Sequence, residues 1–129
     1  MKLISILGLA TLAMAVVPPS LAQTANLDGR SFHGVFLERG KTSGDADTLT
    51  FKDGRFRSSA CDRYGYSEAP YKATTVGDTL RFETETQSAK YGKLVWNGTI
   101  RGGKLDATVM MVQDGKKPVE NWVVAAEKN

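Results

Sequence analysis

The side chains most capable of catalytic chemistry in this chain are its single cysteine, Cys61, and its single histidine, His33. A catalytic thiol needs a lowered pKa, and Arg57 and Arg63 are the cations closest to Cys61 along the chain. No catalytic spacing links His33 to Cys61, so a general base is missing from the pattern. Three alternatives stay open for Cys61: an inert buried thiol, a thiol bonded to a partner or adduct, and an activated nucleophile. We favour the inert thiol, because free cysteine is among the most buried residue types.

Acidic residues give no metal site in the sequence. Asp45 and Asp47 have an Asp-x-Asp spacing but lack the glycine and the distal glutamate of a calcium loop, so they predict a solvated acidic turn. His33 has no partner ligands and is predicted to be an ordinary strand histidine. The sequence therefore predicts no metal, no cofactor, no catalytic residue and no enzymatic activity.

A tyrosine-rich loop follows a strand pattern between Phe56 and Tyr71, in the segment FRSSACDRYGYSEAPY. Loops on a rigid scaffold often carry function. Arg63 and Tyr64 provide charge, hydrogen bonds and an aromatic face, and these suit either the mouth of a ligand site or a contact with a protein. The alternative is a solvated turn in which Tyr64 or Tyr66 folds back over the end of the domain.

The first residues of the chain predict that the protein is exported. A short positive start at Met1 and Lys2 is followed by an uncharged apolar or small run over 3–17, two prolines, and the small residues of Ser20-Leu21-Ala22. This pattern is typical of a secretory signal peptide. We expect cleavage after Ala22, a soluble product in the periplasm or secreted from a bacterium, and no membrane span, since the apolar run is shorter than the roughly 20 residues that cross a bilayer.

Composition predicts one globular domain over residues 23–129. Removal of residues 1–22 from the 129-residue chain leaves 107 residues, enough for one core without disulfides. The formal net charge is only +3, and the two signs are interspersed along the chain. This charge does not favour binding to nucleic acid.

Eight segments alternate apolar and polar residues with the period of a strand, and turn sequences separate them. They are 31–38, 47–52, 55–60, 69–75, 79–85, 93–101, 104–112 and 119–126. The two-residue turns Asp53-Gly54, Gly77-Asp78 and Gly102-Gly103 fix three hairpin registers, which pair Phe51 with Phe56, Ala73 with Phe82 and Trp96 with Val109. All three registers bury one apolar face, so the sequence predicts an antiparallel meander.

A meander with one apolar face has open edges unless it closes, and we therefore predict an all-β fold with an eight-stranded barrel. A β-sandwich is the alternative. The predicted interior mixes the rings of Phe56, Tyr71, Phe82 and Trp96 with small residues. Either the small residues leave a cavity beside Trp96 and Tyr71, or they fit the taper of a packed barrel. The small interior residues are Ser58, Ala60, Ala73, Gly98 and Ala107.

Three segments together carry a resemblance: the opening LDGRSFHG, then TLTFKDGRFRSSACDRYGY, then the tryptophan-containing strand KLVWNGTIRGGKLDATV. With the signal peptide, they resemble a group of small exported bacterial proteins of unknown function whose shape is that of a lipocalin-like barrel. The resemblance covers most of the mature chain. It implies that the protein is exported and has a lipocalin-like barrel fold, and it implies no catalytic residues.

Three functions follow as hypotheses. The first is a small-ligand-binding barrel that holds an apolar or amphipathic molecule, with Phe56, Tyr71, Phe82 and Trp96 lining the site and Arg63 and Tyr64 orienting a polar end. The second is a protein-interaction module acting through the loop at 61–68, such as an inhibitor of a secreted hydrolase. Small exported bacterial barrels that inhibit lysozyme look similar to this chain in size and address. The third is a thiol function of Cys61.

Overall fold

The computed structural model describes residues 22–129, so the predicted signal peptide lies outside the described residues apart from Ala22. Nine strands and one 3-10 helix, Ser59–Tyr64, make up the described chain. The strands are β1 (Gln23–Thr24), β2 (Ser31–Leu37), β3 (Asp45–Lys52), β4 (Arg55–Ser58), β5 (Ala69–Val76), β6 (Thr79–Ser88), β7 (Gly92–Arg101), β8 (Lys104–Val112) and β9 (Val119–Glu127).

Strands β2 to β9 form a closed antiparallel barrel. Each strand pairs with the next along the chain, and β9 pairs back with β2, so the sheet has no free edge within this ring. The short β1 is an extra strand that pairs with the second half of β5. The predicted eight-stranded barrel is thus confirmed, and the sandwich is not adopted.

The three predicted hairpin registers are confirmed. Phe51 pairs with Phe56, Ala73 with Phe82 and Trp96 with Val109. Asp53 and Gly54 both have positive φ, of 52° and 75°, which is the backbone of a type I′ turn. Its twist matches that of the flanking strands, and the turn therefore sets the register of β3 against β4.

The middle of the barrel is filled by aromatic rings. Phe56 packs on Trp96 with ring centroids 4.8 Å apart and on Phe82 at 5.8 Å. Phe51 contacts Phe82 at 5.1 Å and Tyr71 at 5.0 Å. Phe82 also occupies the space above Gly98, where an added Cβ would lie 2.1 Å from its ring. The small residue at position 98 thus accommodates a neighbouring ring and does not leave a void.

The two ends of the barrel are covered in different ways. We call the end that carries the turns 53–54, 77–78 and 102–103 the closed end, because the chain segment before β2 lies across it and buries Leu27 completely. We call the other end the cavity end. It carries the connections 38–44, 89–91 and 113–118 and is covered by residues 59–68, which we call the cap segment.

Candidate functional site

A cavity of about 360 Å³ lies at the cavity end, between the cap segment and the aromatic middle of the barrel. We call it the end cavity. Its inner walls come from six aromatic or aliphatic side chains: Phe36, Tyr64, Tyr66, Tyr91, Leu94 and Met111. Ala60, Cys61, Val119 and Asn121 complete the lining, and Glu38, Arg39 and Asp45 lie at the exposed rim. This is a concave, mainly apolar site with few polar groups.

Asp47 anchors one side of the cap segment. Its side chain is 1% exposed, and its carboxylate accepts hydrogen bonds from Ser58 Oγ at 2.7 Å and from the Ala60 amide at 3.1 Å. The predicted solvated turn is therefore wrong for Asp47. The predicted strand 55–60 is also too long, because the carboxylate binds the Ala60 amide and the chain turns into the 3-10 helix after Ser58.

The turn between β6 and β7 anchors the other side of the cap segment. Ser88 Oγ donates a hydrogen bond to the Tyr64 carbonyl at 2.7 Å. Tyr66 is buried, its hydroxyl donates to the Tyr91 carbonyl at 3.4 Å, and the rings of Tyr64 and Tyr91 meet edge to face at 5.6 Å. Tyr66 thus folds back over the barrel end, as the alternative for this loop predicted. The cap segment is held from both sides and shapes a preformed cavity.

Asn121 on β9 lines the end cavity and carries a buried, unpaired polar group. The side chain is 1% exposed, and its Oδ1 accepts the Arg39 amide at 3.4 Å. Among residues 22–129, its Nδ2 is the buried side-chain nitrogen or oxygen that has no hydrogen-bond partner. Sequence reasoning missed this residue. A polar residue beside Trp122 suggests an outward position, and only the pairing of β9 with β8 reverses that expectation.

Cys61 is a buried thiol on the cap side of the end cavity. Its Sγ lies 3.3 Å from Ser58 Oγ. Burial raises the pKa of the Cys61 thiol to about 12, and the negative charges of Asp47 and Asp62 act in the same direction. The thiol is therefore protonated at neutral pH, which is the opposite of an activated nucleophile.

The two arginines near Cys61 are engaged elsewhere. Arg57 pairs with Asp62, and Arg63 pairs with Asp45 at 2.8 Å while its guanidinium lies over the ring of Tyr64 at 5.0 Å. The alternative in which these arginines lower the pKa of Cys61 is therefore wrong. Arg63 and Tyr64 instead form an exposed pair beside the end cavity, which Tyr64 also lines.

The residues predicted to line a central cavity form the packed middle of the barrel. Phe56, Phe82 and Trp96 are buried, Phe56 contacts the other two rings, and Trp96 Nε1 donates to Thr86 Oγ1 at 3.3 Å. Tyr71 lies toward the closed end, where its hydroxyl donates to Asp28 Oδ1 at 2.6 Å. Of the six predicted ligand-binding residues, Tyr64 lines the end cavity, and Arg63 lies beside it.

Residues 22–129 contain no cluster of metal ligands, since no group of three or more histidine, cysteine, aspartate or glutamate side chains is placed there to hold a metal ion. His33 lies exposed on β2, with its Nδ1 3.1 Å from Thr48 Oγ1. No helix in this part of the chain has the length and apolar character needed to cross a membrane.

Comparison with protein-family models, curated proteins and solved structures found no match to this chain.

Proposed function

We propose that this protein binds a small, mainly apolar molecule in the end cavity and acts as a carrier or receptor with no catalytic role. The proposal extends to an exported, lipocalin-like protein that works in the periplasm or outside the cell. The observation that carries it is the end cavity itself, a space of about 360 Å³ walled by aromatic and aliphatic side chains. Small-molecule sites commonly measure about 300–1,000 Å³ and combine apolar walls with a few polar groups.

The anchoring of the cap segment supports binding. Asp47 holds the cap segment against β3, and Ser88 holds it against the β6–β7 turn. A site whose walls are fixed before the ligand arrives loses little conformational entropy on binding, and affinity benefits. The filled middle of the barrel supports the same location, because the rings of Phe56, Phe82 and Trp96 leave the ligand no room deeper inside.

The test fills the end cavity and measures binding of N-phenyl-1-naphthylamine, whose fluorescence rises in an apolar site. Ala60→Leu places three additional carbons at the cavity wall while the Ala60 amide keeps its bond to Asp47. We expect this variant to weaken binding roughly tenfold or more, because the added side chain occupies ligand volume. The matched control is Ala126→Leu on the exposed outer face of β9, near the closed end.

The result that would overturn the proposal is equal affinity in the two variants, or no binding by the unaltered protein. Gly98→Leu is not a useful test, because its side chain would collide with the Phe82 ring and disrupt the fold.

Native mass spectrometry of protein isolated from its source without reductant gives a second measurement. We expect an added mass that leaves on denaturation. A mass that persists on denaturation and is lost with reductant would instead point to Cys61.

A protein contact through the cap segment is a second candidate function. It is favoured by the exposed pair of Arg63 and Tyr64, which the Asp45 carboxylate holds in place at the barrel end. Assayed against a secreted hydrolase such as lysozyme, the unaltered protein should then inhibit, and Arg63→Ala should abolish inhibition. Ala60→Leu should leave inhibition intact, since it keeps both Arg63 and Tyr64. Absence of inhibition by the unaltered protein would count against this candidate.

A further inference from the structure

We propose that the molecule bound in the end cavity is uncharged and places a carbonyl-type oxygen against Asn121, whose Nδ2 donates a hydrogen bond to it. This inference rests on the proposed function and adds the chemical class of the ligand. It assigns Asn121 the role of recognising the ligand's polar end, while the surrounding rings accommodate the apolar remainder.

The first observation is that Asn121 differs from the other buried polar side chains. Asp47 is bonded to Ser58 and the Ala60 amide, and Thr84 Oγ1 donates to the Pro70 carbonyl at 2.7 Å. Buried polar groups are almost always paired, because desolvation without a partner is costly. In the described chain, the Asn121 amide nitrogen is the exception, and it belongs to a residue that lines the end cavity.

The second observation is that the amide has a defined orientation. Asn121 Oδ1 accepts the hydrogen bond from the Arg39 amide, so the oxygen faces the β2–β3 connection. The –NH₂ group carries two donors and no acceptor. The complementary ligand group is therefore a hydrogen-bond acceptor, and a ligand hydroxyl that acts only as a donor would not satisfy it.

The third observation concerns charge. Burial raises the pKa values of Cys61 and Tyr66 in the cavity wall further above pH 7, so both side chains are neutral at that pH. The formal charges of the lining lie at the exposed rim. There Glu38 and Asp45 carry two negative charges and Arg39 one positive charge, and Asp45 is paired with Arg63. A carboxylate placed against Asn121 would lose its water, while Arg39, the one cation of the lining, lies at the exposed rim beside Glu38 and Asp45, which disfavours a charged ligand.

The experiment compares three ligands of nearly one shape in the full protein. 2-Acetylnaphthalene carries a carbonyl oxygen, 2-isopropenylnaphthalene replaces that oxygen with a CH₂ group, and 2-naphthoate carries a negative charge. Dissociation constants are measured for the unaltered protein and for Asn121→Leu, which keeps a similar volume and removes the donor. Circular dichroism and urea denaturation establish that the variant is folded, and N-phenyl-1-naphthylamine binding establishes that its cavity is intact.

The measured quantity is the preference for the ketone over the alkene in the unaltered protein, divided by the same preference in Asn121→Leu. Differences in the hydration of the free ligands cancel in this ratio. We expect a ratio of about tenfold, the equivalent of one buried hydrogen bond. In the unaltered protein we also expect the ketone to bind more tightly than 2-naphthoate.

A ratio within twofold of one would overturn the inference and leave the proposed function standing. Tightest binding by 2-naphthoate would overturn the requirement for an uncharged ligand. Failure of the ketone to bind a protein that binds N-phenyl-1-naphthylamine would also overturn the inference. Failure of every probe, N-phenyl-1-naphthylamine included, would instead overturn the proposed function.

Discussion

The closed end and the cavity end solve one problem, the covering of a barrel mouth, with opposite results. At the closed end, Leu27 is completely buried and its amide donates to the Tyr71 hydroxyl at 3.0 Å. Asp28 accepts both the Tyr71 hydroxyl at 2.6 Å and the Gly54 amide at 3.0 Å. At the cavity end, the cap segment is equally well anchored, yet it borders a partly open cavity of about 360 Å³ lined by Asn121, whose side-chain nitrogen is unpaired.

The difference shows how one mouth of this small barrel is filled while the other keeps a cavity. An apolar side chain fills the closed end, and the polar groups around it are paired with one another. At the cavity end the buried Asp47 and Ser88 hold the cap segment from two sides, and its residues Cys61 and Tyr66 join the core while the end cavity stays unfilled. A barrel mouth can therefore be covered without being filled, and only the closed end is both covered and filled.

The largest expected effect is on stability at the closed end. Leu27→Ala should lower the free energy of unfolding by about 2–5 kcal/mol, because it removes a fully buried side chain and leaves a void. Met111→Ala should cost only about 1 kcal/mol, since Met111 is partly exposed and borders space that already exists. Urea denaturation of both variants checks this. Equal losses would show that the two ends are packed alike.

The barrel and its hairpins were predictable because their information is local. Asp53-Gly54 and Gly102-Gly103 specify tight turns, and each turn fixes the faces of two strands at once. The 3-10 helix was not predictable in this way. It depends on the carboxylate of Asp47, a residue of another strand that looks like part of a solvated turn until β3 and β4 are paired.

The second prediction concerns the stability of the fold at alkaline pH, which depends on the Cys61 thiol at the cavity end. The Cys61 pKa is raised from an ordinary 9.0 to about 12, so the thiol favours the folded state only while it is protonated. Stability should fall as the pH rises from about 9 toward 12, because the unfolded chain loses its proton first. At pH 10 this loss is on the order of 1 kcal/mol relative to neutral pH. Cys61→Ala should remove that part of the decline.

The measurement is the free energy of unfolding from urea titrations at pH 7 and pH 10, for the unaltered protein and for Cys61→Ala. A reagent for free thiols should also fail to label the native protein at pH 8 and should label one thiol after unfolding. An identical pH 7 to pH 10 decline in both proteins, or rapid labelling of the native protein, would contradict the buried thiol.

The third and smallest prediction concerns acid and the closed end. Glu127 pairs with Arg30 through Nε at 2.7 Å and a second nitrogen at 2.8 Å, and the hydrogen bonds from Arg30 lower the pKa of Glu127 below its ordinary 4.5. Because the unfolded chain takes up the proton first, the stabilisation is present above about pH 4.5 and is lost as the pH falls through the lowered value. Glu127→Gln should cost about 1 kcal/mol or less at pH 7.

The check compares Glu127→Gln with Glu83→Gln, a control on the exposed face of β6. Unfolding free energies are measured from pH 7 to pH 3. The gap between the unaltered protein and Glu127→Gln should close as the pH falls, and Glu83→Gln should follow the unaltered protein. A gap that is constant across this range would show that the ion pair contributes nothing through its charge.

The candidate site was less predictable than the fold, for a reason visible in β9. Its sequence, VENWVVAAE, has apolar residues on both faces, so alternation alone does not show which face enters the barrel. Val123 is buried and Trp122 is partly exposed, the reverse of what side-chain size suggests. Asn121 follows Val123 inward, and its unpaired nitrogen is apparent only once every neighbour has been placed.

The pairing between β4 and β5 is short, and we expect the barrel to open locally there. These strands share the pairs Arg55–Pro70 and Phe56–Ala69, whereas β6 and β7 pair continuously from Leu80–Ile100 to Ser88–Gly92. The cap segment is the connection between β4 and β5. We expect amide hydrogens on both sides of this pairing to exchange with solvent earlier than those of β6 and β7. Brief parting of the two strands would leave the cap segment held by its bonds to Asp47 and Ser88.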